Sequence, residues 1–130
     1  MEIIATQKFL TMSPRKIRPV VDVIKKLKPT EAVEKLPFMA KRAAEPLAKV
    51  IKQAIANARS RGLSDTELTF KEIQIGEGPR LKRGRPVSRG QWHPVKKRMS
   101  HIRVVLEAKT APEKPKAKSQ KVKEEHGTKD

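Results

Sequence analysis

The sequence predicts an α+β fold: a small three-stranded antiparallel sheet packed on three helices, with a long protruding β-hairpin. Three observations predict it. Apolar residues recur at helical spacing over 17–27 and 47–58, and β-prone runs stand outside them at 2–10, 68–75 and 102–106. The last two of those runs enclose a stretch, 78–101, that is basic, rich in Gly and Pro and short of apolar residues.

Taken in order, Glu2 to Leu10 mixes Ile3, Ile4, Ala5, Phe9 and Leu10 with Gln7 and Lys8, the pattern of an edge strand. Ser13-Pro14 opens a helix, because serine can accept from the unpaired N–H groups of the first turn and proline lacks the N–H that would be left over there. Ile17, Val20, Val21, Ile24 and Leu27 form its apolar stripe, while Pro19 predicts a bend or a late start. Thr30 is placed to cap a short helix over 31–36 that Pro37 closes. The third helix carries the stripe Leu47, Val50, Ile51, Ala54, Ile55 and Ala58, begins near Pro46 and ends at Gly62. After a turn at Ser64-Asp65, Leu68 and Phe70 share one face but Ile73 and Ile75 are out of phase with them, which predicts a β-bulge near Lys71-Glu72. Ile102, Val104 and Leu106 mark a return strand beside it. The domain organisation that follows is one unit over 1–107, including a hairpin at about 78–101, and a disordered lysine-rich tail over 108–130 without periodicity.

Composition narrows the function. With 36% apolar residues and no cysteine, the chain has one modest core and neither disulfides nor thiolate metal sites. A net charge of +17 calls for a polyanion. No apolar run of 18 residues and no signal-peptide pattern is present, so nucleic acid is favoured over membrane and a soluble, intracellular protein is expected. Aromatic residues are 3% of the chain, which argues against a platform for stacking single-stranded bases and for recognition of backbone and shape.

The basic stretch is where that charge concentrates. Between Glu77 and Glu107 stand Arg80, Lys82, Arg83, Arg85, Arg89, Lys96, Lys97, Arg98 and Arg103 without one carboxylate, so self-repulsion opposes packing until an anionic partner arrives. Two arms of about 12 residues at roughly 3.3 Å each would reach on the order of 40 Å. Arginines fork onto phosphate oxygens, Gly84 and Gly90 allow a backbone to approach a groove, and Pro79, Pro86 and Pro94 stiffen the path and remove edge donors. Ser13, Arg15, Lys16 and Arg18 cluster at a helix start, where partial positive charge already favours phosphate, and Lys41 and Arg42 extend that surface. Trp92, at the far end, is placed to stack on a base or on an apolar neighbour in the partner.

Catalysis has no support. His93, His101 and His126 form no metal-ligand spacing, no glycine-rich phosphate loop follows a strand, and no nucleophile and base can be paired, so neither metal nor cofactor is expected. An architectural DNA-binding protein stays open as an alternative, with Val87 and Trp92 as wedges for a minor groove.

Certain short motifs stand in a telling order: Ser13-Pro14-Arg15-Lys16 before Val20-Val21-Asp22, Lys41-Arg42-Ala43-Ala44-Glu45-Pro46, and Ile55-Ala56-Asn57-Ala58. Glu77-Gly78-Pro79, Leu81-Lys82-Arg83, Arg89-Gly90 and Lys97-Arg98 with Ser100-His101-Ile102 follow them. Over about residues 3 to 107 this order resembles the large-subunit ribosomal protein twenty-two family, in its bacterial type. The resemblance implies a cytoplasmic structural constituent of the large ribosomal subunit that binds its rRNA and assists assembly, with neighbouring ribosomal proteins as further partners and no homo-oligomer. It implies RNA contact by Ser100 and His101 along with the cations named above, and a hairpin tip of Val87, Ser88, Arg89, Gly90, Gln91, Trp92 and His93 that lines the exit tunnel and meets the nascent peptide. The chain departs from the family at Pro19, at the Gln91-Trp92-His93-Pro94 tip and in its tail.

Overall fold

A computed structural model describes residues 1–108, so the expected tail lies almost entirely outside the described residues. The elements run β1 (Glu2–Leu10), α1 (Pro14–Ile24), α2 (Pro29–Lys35), α3 (Ala44–Ser60), β2 (Leu68–Pro86) and β3 (Trp92–Ala108). The sheet is antiparallel in the order β1-β3-β2, which puts β1 on an edge as its mixed pattern predicts and makes the return strand central.

Period-two alternation along β3 sends Ile102, Val104, Leu106 and Ala108 into the core, where Ile3 and Ala5 of β1 join them. The helices cover that one face. α1 contributes Ile17, Val20, Val21 and Ile24, and α3 contributes Leu47, Val50, Ile51, Ala54, Ile55 and Ala58, the stripes legible in the sequence. In β2, Phe70 pairs with Leu106 and Glu72 with Val105, so one extra residue sits at Lys71 and restores Ile73 and Ile75 to the inner face. The bulge is where the phase change predicts it.

Helix ends differ more from expectation. Ser13 is extended, with φ −67° and ψ 137°, and its side chain makes no cap hydrogen bond; its carbonyl accepts instead from the Lys16 N–H at 3.0 Å. The late start expected from Pro19 does not occur, since α1 runs from Pro14 through it. Pro19 is exposed and its ring leaves the core alone, but with no N–H it leaves the Arg15 carbonyl without an intrahelical donor. α2 starts at Pro29 after Lys28, which places Thr30 inside the helix rather than at its cap, and Pro37 lies within a single 3-10 turn, Leu36–Phe38. A proline at the first helical position outweighs the threonine signal because its fixed φ is already helical.

α3 ends as its glycine predicts. Gly62 takes φ +77°, its N–H donates to the Arg59 carbonyl at 2.9 Å, and the Leu63 N–H reaches back to the Ala58 carbonyl at 3.2 Å. Arg59 also forks onto Asp65 just beyond, with Nε to Oδ1 at 2.9 Å, and that guanidinium holds the Asp65 carboxyl below its ordinary range. A lowered carboxyl stabilises the fold above its unfolded value and loses that contribution as pH falls through the folded value. The thermal midpoint of Arg59→Gln should therefore trail that of the parent chain near about pH 6 and converge with it toward about pH 2.

Candidate nucleic-acid interface

The three basic segments, far apart in sequence, meet at the root of the hairpin. A recess of about 430 Å³ is lined by Ser13, Pro14, Arg15 and Lys16 at the start of α1, by Glu77, Gly78 and Arg80 of β2, and by Arg98 and Met99 of β3. A second, of about 730 Å³, shares Ser13, Lys16 and Arg98 with it and adds Lys41 and Arg42 before α3, Lys96 and Lys97 of β3, and Pro19 and Val20. The Ser13 side chain makes no cap bond, and the residue lines both recesses at the helix start. Glu77 is the sole carboxylate lining either recess, and it accepts from Arg80 Nη2 at 3.3 Å.

Register determines which cations share a face. A second extra residue in β2, between Glu77 and Arg80, sets Arg80 opposite Arg98 and Lys82 opposite Lys96. Period-two alternation from the buried Ser100 places Arg98 and Lys96 on the helix-side face, so both like-charged pairs lie on the face that continues the two recesses. Like charges directly opposite one another destabilise a ladder. By the same alternation Leu81, Arg83 and Arg85 fall on the other face, opposite Lys97, Val95 and His93, although Lys97 also lines the second recess. Arg18 is exposed on α1 and Arg89 is at the tip; neither lines a recess. Ser100 is fully buried beneath the surface with its hydroxyl unpaired, and His101 points to the opposite side of the sheet.

The ladder continues as far as Pro86 opposite Trp92, and residues 87–91 close it. The Val87 N–H donates to the Gln91 carbonyl at 2.9 Å, with Arg89 and Gly90 both left-handed at φ 59° and 68°. Trp92 has a partner that the sequence does not announce. A Cβ on Gly84 would fall 1.8 Å from the indole Nε1 and 1.9 Å from Cε2, so the ring occupies the space a side chain at 84 would take. Gly84 is thus approached by the chain's own tryptophan rather than by a groove. The indole remains 65% exposed, leaving its outer face for a partner.

Residues 5–107 match the family described as Ribosomal protein L22p/L17e. The chain belongs to that family. Relatives named large ribosomal subunit protein uL22 include one from Desulfitobacterium hafniense (strain Y51), 43% identical over 78% of this chain and 90% of its own length. Another, from Syntrophus aciditrophicus (strain SB), is 43% identical over 84% of this chain and the whole of its own length. One from Acaryochloris marina (strain MBIC 11017) is 40% identical over 82% of this chain and 90% of its own. As a member of the L22p/L17e family the chain is a structural constituent of the large ribosomal subunit, cytoplasmic in bacteria, and not an enzyme. The family match spans both recesses and the hairpin. Sequence reasoning missed Glu77 as a member of the site and the contact of Trp92 with Gly84, because both depend on cross-strand register rather than on local pattern.

Proposed function

We propose that the chain binds large-subunit rRNA with the helix-side face at the hairpin root, that the hairpin lies between rRNA helices as they pack during assembly, and that its tip lines the nascent-peptide exit tunnel. The observation that carries this reading is the meeting of Arg15, Lys16, Lys41, Arg42, Arg80 and Arg98 around two open recesses, beside a ladder whose opposed cations repel until phosphates lie between them. Reach supports the tip. From Gly78 to Pro86 the hairpin extends on the order of 30 Å beyond the sheet, at roughly 3.3 Å per residue. Neighbouring ribosomal proteins are expected at the exposed outer surfaces, the nascent peptide at 87–93, and a single copy in each subunit.

An architectural DNA protein would need free wedges at the tip, whereas Trp92 is laid on Gly84. Filter binding of the full chain to large-subunit rRNA tests the proposal. With about six phosphates engaged, the log–log salt slope should be about −4 to −5, and duplex DNA should compete poorly. A slope near zero, or equal competition by DNA, overturns it.

A further inference from the structure

A third recess, of about 630 Å³, lies on the sheet face away from the helices and includes Lys8 and Phe9 of β1, Gln74 and Gly76 of β2, and His101 and Arg103 of β3. Two of its features are not required by the fold. Phe9 sits in a left-handed backbone, φ 57°, at an extra residue between Gln7 and Leu10, and its ring is 60% exposed. A bulky residue in that conformation is strained, and strain of this kind collects where a side chain is being aimed. Gly76, directly opposite His101, has no left-handed φ, and a Cβ there would meet only His101 Cβ at 3.9 Å, an ordinary contact. Packing therefore tolerates a side chain at 76, and its absence keeps the floor of the recess open.

The walls are chemically specific. The Phe9 N–H donates to His101 Nδ1 at 3.0 Å, which fixes the aimed segment and leaves Nε2 as the hydrogen-bearing nitrogen of a neutral imidazole. The two rings meet edge to face, 5.0 Å between centroids at 87°, so the histidine takes at most one face of the Phe9 ring, and the residue stays 60% exposed. Gln74 spends its NH₂ on Glu72 at 2.7 Å, keeping its carbonyl oxygen as an acceptor. Lys8 and Arg103 supply positive charge, and no carboxylate lines the recess. An aromatic face, a ring donor, an amide acceptor and two cations match a base with its phosphate; a bare anion would not need the ring, nor an apolar side chain the cations.

We propose that this recess holds one unstacked nucleotide of RNA, its base on Phe9 and its phosphate between Lys8 and Arg103. The inference rests on the reading that the chain binds rRNA, and it adds a second contact on the opposite face of the sheet, so that RNA grips the hairpin root from both sides. Stacking itself releases no counterion, which separates the contribution of the Phe9 ring from that of the phosphate contacts on either face.

The test measures filter binding of the full chain to large-subunit rRNA across a salt series, with thermal midpoints alongside. Phe9→Gly removes the ring while accepting the positive φ, and Phe9→Asn does the same with a residue that tolerates it. Both should bind roughly 5- to 150-fold more weakly at an unchanged salt slope, with the thermal midpoint not lowered; Phe9→Tyr, which keeps the ring, should bind as the parent does. Affinity that falls as stability holds or rises is the signature of a ring aimed at a ligand. If the parent binds with a steep slope and Phe9→Gly binds equally well, this inference is overturned and the reading of the helix-side face stands. If Phe9→Gly keeps its affinity for naked rRNA but incorporates poorly into large subunits, the occupant is a neighbouring protein and the inference is likewise overturned. If the parent shows no salt-dependent binding, both fall.

Discussion

Replacing Arg80, Lys82, Lys96 and Arg98 together by glutamine should weaken rRNA binding at low salt, reduce the log–log salt slope by about 3 to 4, and leave the free protein as stable as before or more so. Each part follows from register. The four side chains form two directly opposed like-charged pairs on the face that continues the α1 recesses, so their repulsion is relieved only by anions. Four lost phosphate contacts, at roughly 0.9 counterion each on a duplex, account for the change in slope. Removing the pairs takes away repulsion within the ladder, while the buried residues that hold the body, Ile3, Ile17, Leu47, Ile51 and Leu106 among them, are untouched. Arg80 does lose its bond to Glu77, but that pair is exposed and contributes little. Parent and variant affinities should converge as salt rises. A quadruple variant with the parent's slope would show that this face does not meet phosphate, and one that unfolds would show the four side chains to be structural.

What the sequence shows of this fold is what period and composition encode. The stripes of α1 and α3, the three strand runs, the Gly62 terminus and the bulge at Lys71 are all local patterns, and each is found where its spacing puts it. The site was legible as a list of cations, because a run of them without a carboxylate is visible in one dimension. Its arrangement was not. That Arg15, Lys41 and Arg98 line adjoining recesses depends on how α1 lies against the hairpin root, and the opposition of Lys82 to Lys96 depends on a second extra residue in β2 that no hydrophobic phase change announces, because the strand there has no apolar face. Phe9 illustrates the same limit. Its apolar character places it in a strand, where it lies, but the positive φ and the bond to a histidine far along the chain that leave its ring exposed have no local signal. The caps differ for another reason: α1 starts at Pro14 after Ser13 as expected, but Ser13 and Thr30 each stand beside a proline, and side-chain capping is one of several ways to satisfy a first turn.

Gly84→Ala should displace the Trp92 indole and loosen the hairpin tip without lowering the stability of the body. The methyl group would lie within 1.8 to 2.1 Å of Nε1, Cε2 and Cζ2, an overlap that neither the strand backbone nor a rigid ring can absorb by a small shift. Pro94 opposite Gly84 and Pro86 opposite Trp92 lack N–H groups, so this part of the ladder is short of backbone bonds and the ring's cover matters more. Trp92 is the only tryptophan, which makes the effect readable directly. Its emission should shift to longer wavelength and be quenched more readily by iodide, and amides over 84–94 should exchange faster, while those of the core strands keep their protection. Trp92→Ala removes the same cover without a clash. In that background the sign reverses: Gly84→Ala should be neutral or slightly stabilising, since alanine loses less backbone entropy than glycine and nothing remains to be displaced. The coupling between the two positions is thus the measured quantity, and purely additive effects on tip exchange would mean that the indole does not rest on Gly84. In large subunits carrying Gly84→Ala, the protein should be present at parental levels with the tip alone reoriented, if the proposed anchoring by the cations at the root holds; loss of the whole protein would assign anchoring to the tip instead.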